Sequence, residues 1–218
     1  MKEVKGLYVI VNSTTDDEYS PIELAKMAIR GGADVIQFRD KEKGSDAFLF
    51  FSKGIRDLCQ EAGVTFIVND RVDIAEAVDA DGVHLGQGDF PISVARSVLG
   101  EDKIIGGTAG NLEEARRVEE SGANYIGFGH IFPTQSKEKE GAPLGLEALE
   151  ELCCTTDLPV IAIGGISEEN VCSVIESGAT GVAVISAVCD SEDPQEDTQR
   201  LKKLIESFSR SGAYVSDK

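Results

Sequence analysis

The sequence has no apolar run near the roughly 20 residues that span a bilayer. Its first apolar stretch, 7–11, is too short for a secretory signal core and carries no small-residue cleavage pattern. Positive charge is scarce: 21 Lys and Arg against 39 Asp and Glu leave a formal net charge of −18 over 218 residues. So acidic a surface is a poor sink for nucleic-acid phosphates and is repelled by an anionic membrane, so neither is expected as a partner. An anionic small molecule would have to be held locally, by a few aimed cations, backbone amides or a bound metal. The five cysteines form an odd set without a C-x-x-C spacing, and with only two histidines beside them they exclude an ordinary structural zinc site. A reduced, cytoplasmic protein is expected. The sequence leaves oligomeric state open, a homodimer included.

What is present is a repeat. Gly32-Ala33-Asp34-Val35-Ile36, Gly63-Val64-Thr65-Phe66-Ile67, Gly122-Ala123-Asn124-Tyr125-Ile126 and Gly178-Ala179-Thr180-Gly181-Val182 each follow a helix-like stretch and open an apolar run. Glycine suits the left-handed residue that ends a helix, and the β-branched and aromatic residues after it suit a buried strand. Ala77-Val78-Asp79-Ala80-Asp81-Gly82-Val83 is a looser version of the same joint. Eight short runs follow from this pattern, at 7–12, 34–40, 65–70, 82–87, 103–108, 125–131, 160–166 and 181–188. Helices are expected between them, among others at 21–30, 46–61, 112–121 and 168–177, with a last one from Pro194 to Phe208. Eight strands alternating with helices predict a single-domain α/β protein, a (β/α)8 TIM barrel over 1–209 with a flexible tail at 210–218. A doubly wound sheet would carry a glycine-rich fingerprint after its first strand, where this chain has Asn12-Ser13-Thr14-Thr15-Asp16.

In such a barrel the chemistry sits at the C-terminal ends of the strands, and polar residues collect there. Gln37, Arg39 and Lys41 alternate with Phe38 and Asp40, which would place an amide and two cations on one side of strand two. Asn69-Asp70-Arg71 ends strand three, and Gly86-Gln87-Gly88-Asp89 follows strand four. Two carboxylates at neighbouring strand ends suit Mg2+, which takes one or two protein carboxylates and completes its shell with phosphate and water. Asp70 read alone is equally a helix cap. Ile131-Phe132-Pro133-Thr134-Gln135-Ser136-Lys137 offers hydroxyls and a lysine in a loop, while Gly164-Gly165-Ile166 and Ile185-Ser186-Ala187 form a glycine-rich phosphate cradle. His84 lies mid-strand and reads as a satisfied, barrel-filling side chain; His130 is nearer the mouth. Cys153 and Cys154 fall at a helix end and read as packing. The residues alone thus give two phosphate sites in one barrel mouth, one metal-assisted and one metal-free, which suits a transferase joining two phosphorylated small molecules.

The motifs Gln37-Phe38-Arg39-Asp40-Lys41, Val68-Asn69-Asp70-Arg71-Val72-Asp73, Asp81-Gly82-Val83-His84-Leu85-Gly86-Gln87, Gly127-Phe128-Gly129-His130-Ile131-Phe132-Pro133-Thr134 and Ala162-Ile163-Gly164-Gly165-Ile166 together resemble the thiamine phosphate synthase family. The resemblance implies condensation of hydroxymethylpyrimidine diphosphate with hydroxyethylthiazole phosphate, with pyrophosphate leaving. It further implies that Gln37, Arg39, Lys41, Asn69 and Lys137 meet the diphosphate, with Arg39, Lys41 and Lys137 as catalytic cations. Asp70 and Asp89 would take Mg2+, and Thr108 the pyrimidine. Thr134, Gln135, Ser136, Gly165, Ile185 and Ser186 would hold the thiazole phosphate. The chain departs from the family pattern in having Thr108 in place of a serine, Gly110 in place of a histidine, Ser136 in place of a threonine and His130 where proline is common. The sister group of thiazole tautomerases needs an acid–base histidine, which would fall at Gly110, and has no use for the magnesium carboxylates. A non-catalytic barrel that binds thiamine-related phosphates is a third reading, against which the intact Asp70 and Asp89 pair argues.

Overall fold

In the computed structural model, which describes residues 4–12, 19–134 and 142–212, eight parallel strands close in sequence order into one barrel. The strands are β1 (Gly6–Val11), β2 (Val35–Phe38), β3 (Thr65–Asn69), β4 (Gly82–Leu85), β5 (Ile104–Ala109), β6 (Tyr125–Gly129), β7 (Val160–Ile163) and β8 (Gly181–Val184). Helices between and after them are α1 (Pro21–Gly31), α2 (Ser45–Ala62), α3 (Val72–Ala77), α4 (Ile92–Leu99), α5 (Leu112–Glu120), α6 (Gly145–Thr155), α7 (Val171–Glu176), α8 (Ser186–Cys189) and α9 (Pro194–Gly212). Among the described residues no helix is long and apolar enough to cross a membrane.

The four glycines of the repeat do what their position requires. Gly32, Gly63, Gly122 and Gly178 all have φ between 72° and 94°, the left-handed conformation that closes a helix. At the looser joint Asp79 takes that role at φ 51°, and its carboxylate pairs with Arg56 and Lys103. The polar residue after the joint has a second task. Asp34, Asp81, Asn124 and Thr180 accept the backbone amides of Leu7, Phe66, Ile105 and Val160, at 2.8, 2.8, 2.8 and 3.3 Å. Each unit is thereby tied to the preceding strand at the barrel floor, where a bare amide would otherwise lack a partner.

Alternation along the strands builds two layers. In β1, Leu7, Val9 and Val11 pack outward under the helices, while Tyr8 and Ile10 point into the barrel. Val35, Ile67, Ile104, Tyr125, Ile161 and Ala183 complete that interior. The two tyrosine rings lie 5.8 Å apart. Room for Tyr125 comes from Gly106, where a Cβ would stand 2.1 Å from the tyrosine's Cζ.

Several boundaries differ from the sequence reading. β2 ends at Phe38, so Lys41 has left the strand. Arg39 keeps the ladder through its amide to the Val11 carbonyl, 2.9 Å. β7 ends at Ile163, which frees Gly164 and Gly165 as a turn at φ 99° and 67°. β8 ends at Val184, and Ser186 opens the one-turn α8 rather than continuing the strand. α9 runs on to Gly212, past the expected boundary at 209, with 213–218 outside the described residues.

Candidate active site

Three connected hollows open at the C-terminal mouth. The deepest reaches the barrel interior: Gln37, Arg39 and Asn69 line one wall, Tyr8, His84, Thr108 and Tyr125 the floor, and Thr134, Gly164 and Ile185 the other wall. A second, of about 440 Å³, lies beside it between Lys41, Asp89, Gln87 and His130, and shares Thr108 with the first. The third is the small niche of Gly164, Gly165, Ile185 and Ser186, joined to the first through Thr134. Gln37 and Arg39 thus share one wall as their spacing predicts, whereas Lys41, released from the strand, faces the neighbouring hollow.

Asp70 is a carboxylate under electrostatic pressure. Its φ of 64° places it just past β3 in a conformation rare for a residue with a side chain, held by its amide to the His84 carbonyl at 2.9 Å. Burial and the facing Asp89 carboxylate push its carboxyl up to about 6, against the pull of Lys41, whose Nζ stands 3.5 Å from Oδ2. Asp89 is itself fixed by the Gly86 amide, 2.7 Å from its Oδ2. A Cβ on Gly86 would stand 2.7 Å from that oxygen, too close for the bond to keep its geometry. Two hard oxygen donors forced together, with a lysine alongside, fit a divalent cation that is completed by ligand phosphate and water. Among the described residues no cluster of three His, Cys, Asp or Glu exists, so the donor set is unlike that of a closed, all-protein metal centre.

The cradle is built from backbone. A Cβ on Gly165 would lie 2.5 Å from the Pro133 carbonyl oxygen, and one on Gly164 2.4 Å from the His130 Cβ. Both glycines are therefore required by close approach as well as by φ.

In the floor, sequence reasoning named Thr108 but missed Tyr8 and Tyr125. His84 is satisfied, as expected, but its partners are the Tyr125 hydroxyl at Nδ1, 2.9 Å, and the Thr108 hydroxyl at Nε2, 2.8 Å. Period-two alternation was the available signal: Tyr8, His84, Thr108 and Tyr125 all occupy inward positions. The Gly110 backbone amide donates to Glu114 Oε2 at 2.7 Å, beside the helix cap at Asn111. His130 is buried and borders both larger hollows. Cys153 is on α6, away from all three hollows, and burial pushes its thiol up to about 11, as befits an inert packing residue. Gln135, Ser136 and Lys137 lie outside the described residues.

A (β/α)8 barrel with paired carboxylates and cations beside a diglycine turn, all at the C-terminal mouth, has the form of an enzyme for phosphorylated small molecules. The family model described as thiamine monophosphate synthase matches residues 7–188, and the chain belongs to that family. Similar curated proteins are the thiamine-phosphate synthases of Salinibacter ruber, 46% identical over 96% of this chain and 92% of that one, and of Methanocella arvoryzae, 47% identical over 94% and 97%. Among solved structures, thiamine phosphate pyrophosphorylase from Pyrococcus furiosus matches at 40% identity and a TM-score of 0.86, covering 93% of this chain and 96% of that one.

Proposed function

We propose that the chain condenses hydroxymethylpyrimidine diphosphate with hydroxyethylthiazole phosphate to give thiamine phosphate and pyrophosphate. The observation that carries this reading is the junction at Thr108 and Thr134, where the acid-and-cation hollow and the glycine niche meet in one pocket. The two ligand classes can therefore be held with their reacting atoms adjacent.

Gln37, Arg39, Lys41 and Asn69 bind and orient the diphosphate, with Lys137 assigned to it from its motif. Asp70 and Asp89 would hold Mg2+, which when bound supplies positive charge to the departing pyrophosphate. The C–O bond at the pyrimidine methylene breaks, the pyrimidine ring spreads the positive charge left on that carbon, and the thiazole nitrogen's lone pair forms the new C–N bond. Arg39, Lys41 and Lys137 stabilise the negative charge that leaves. No proton need be removed in the bond-forming step. Thr108 meets the pyrimidine. The Gly165 backbone, Ile185 and Ser186 hold the thiazole phosphate together with Thr134, Gln135 and Ser136. Small phosphorylated molecules are thus the partners, and the five free cysteines suit work in a reducing cytoplasm.

The test is to incubate the protein with both substrates and Mg2+ and to follow thiamine phosphate as fluorescent thiochrome. Product that disappears with EDTA is expected; no product with or without EDTA defeats the reading. Gly165→Ala is expected to raise KM for the thiazole phosphate at least about tenfold, because the new methyl would strike Phe132 and the Pro133 carbonyl and Ala resists φ +67°, so the turn that forms the niche must shift. KM for the pyrimidine diphosphate should change little, and equal rises would show that the niche serves no separate ligand.

A further inference from the structure

Three adjacent strands carry a chain of hydrogen bonds from the barrel centre to the pocket. Gly106 of β5 pairs with His84 of β4 on one side and with Tyr125 of β6 on the other, and Thr108 sits two residues further up. The imidazole and phenol rings stack, with centroids 5.4 Å apart and planes at 29°. Glycine leaves the space for them. A Cβ at 106 would strike the Tyr125 ring, and one at 127 would stand 2.8 Å from His84 Cε1. Tyr125 is fully buried, and burial raises its phenol well above the ordinary value, so it remains a protonated donor.

A neutral imidazole has one N–H, so the chain can run in two directions. With the proton on Nδ1, His84 donates to the Tyr125 oxygen and Nε2 accepts the Thr108 hydroxyl hydrogen. The Tyr125 hydrogen then has no acceptor: among the described residues its hydroxyl contacts only His84, and the Tyr8 hydroxyl makes no hydrogen bond. A buried donor left unsatisfied is costly. With the proton on Nε2, Tyr125 donates to Nδ1, Nε2–H donates to Thr108 Oγ1, and within this chain of three side chains the hydrogen left without an acceptor among the described residues is that of Thr108, which lines the pocket.

The geometry points to Tyr125 as a positioning residue that, by holding His84 in its Nε2–H tautomer, keeps the Thr108 hydroxyl hydrogen free for the ligand, so that Thr108 can donate to an acceptor atom, a ring nitrogen of the pyrimidine. The identity of that ligand rests on the proposed function; the tautomer does not.

The test begins with the free protein, uniformly labelled with 15N-histidine. The chain has two histidines, and His84→Gln identifies the signal of interest. At pH 8 the His84 pattern should be that of a protonated Nε2 and a bare Nδ1, and Tyr125→Phe should remove this preference. The same variant should lower kcat/KM for the pyrimidine diphosphate about tenfold, the weight of one hydrogen bond, with KM for the thiazole phosphate unchanged. Thr108→Val should cost as much, Thr108→Ser little. Adding Tyr125→Phe to Thr108→Val should change the rate less than twofold, because the tyrosine acts through the threonine. A wild-type His84 protonated on Nδ1 overturns the inference, and so do fully additive losses in the double variant. If Tyr125→Phe does not fold, the wild-type tautomer decides alone. A wild type with the Nε2–H signal but no product supports the relay and overturns the function.

Discussion

Asp70→Asn should lose at least about 100-fold in turnover and yet melt at a higher temperature than the wild type in metal-free buffer. The carboxylate is held where burial and Asp89 raise its proton affinity from 3.8 to about 6, so the charged form destabilises the empty fold. Asn keeps the shape, accepts the left-handed backbone at φ 64° and removes the repulsion. A shift of this size corresponds to ~3 kcal/mol at full weight; solvent screening of a partly exposed group reduces it to roughly 1 kcal/mol. In a chain of this length that is a rise of about 2–4 °C. The folded chain binds this proton more tightly than the unfolded chain, so stability falls as pH rises from about 4 through about 6. The gap in Tm between variant and wild type should therefore be open at pH 8 and closed near pH 4. Mg2+ should raise the Tm of the wild type and leave Asp70→Asn nearly unmoved. A variant that melts lower than the wild type at pH 8 without metal would show that Asp70 is a structural cap.

Arg39→Ala is expected to cost about 100- to 1000-fold in kcat/KM for the pyrimidine diphosphate with Tm nearly unchanged. Its side chain lines the same wall as Gln37 and Asn69, while its backbone holds the β1–β2 ladder through an amide that alanine retains. Arg39→Lys should restore less than a tenth of the activity, since an ammonium cannot reproduce the guanidinium fork on a diphosphate. Cys153→Ala, remote from the mouth, serves as the control with wild-type turnover. Steady-state kinetics that leave Arg39→Ala within threefold of the wild type would remove Arg39 from the site.

These residues show where the sequence was legible. The glycine after each helix names a conformation that only its own backbone decides, so Gly32, Gly63, Gly122 and Gly178 announced the barrel's units. The bonds from Asp34, Asp81, Asn124 and Thr180 to the preceding strands were invisible because their acceptor role depends on which strand lies alongside. Alternation placed Gln37 and Arg39 together, since the ladder persists through the Arg39 amide, and failed at Lys41, where it stops. Asp70 and Asp89 could be paired from neighbouring strand ends, but the pressure between them is a matter of burial and distance. Least legible was the floor. His84 read as satisfied from its apolar neighbours, but only closure of β4, β5 and β6 brings Tyr125 to one of its nitrogens and Thr108 to the other.

The most direct test of one mouth joining two phosphorylated molecules is 31P NMR of the wild-type protein with Mg2+ and both substrates. The account predicts that the pyrimidine diphosphate signals vanish while pyrophosphate and thiamine phosphate appear one for one, and only when both substrates are present. Substrate signals that persist unchanged, or a diphosphate that breaks down to inorganic phosphate without thiamine phosphate, would contradict it.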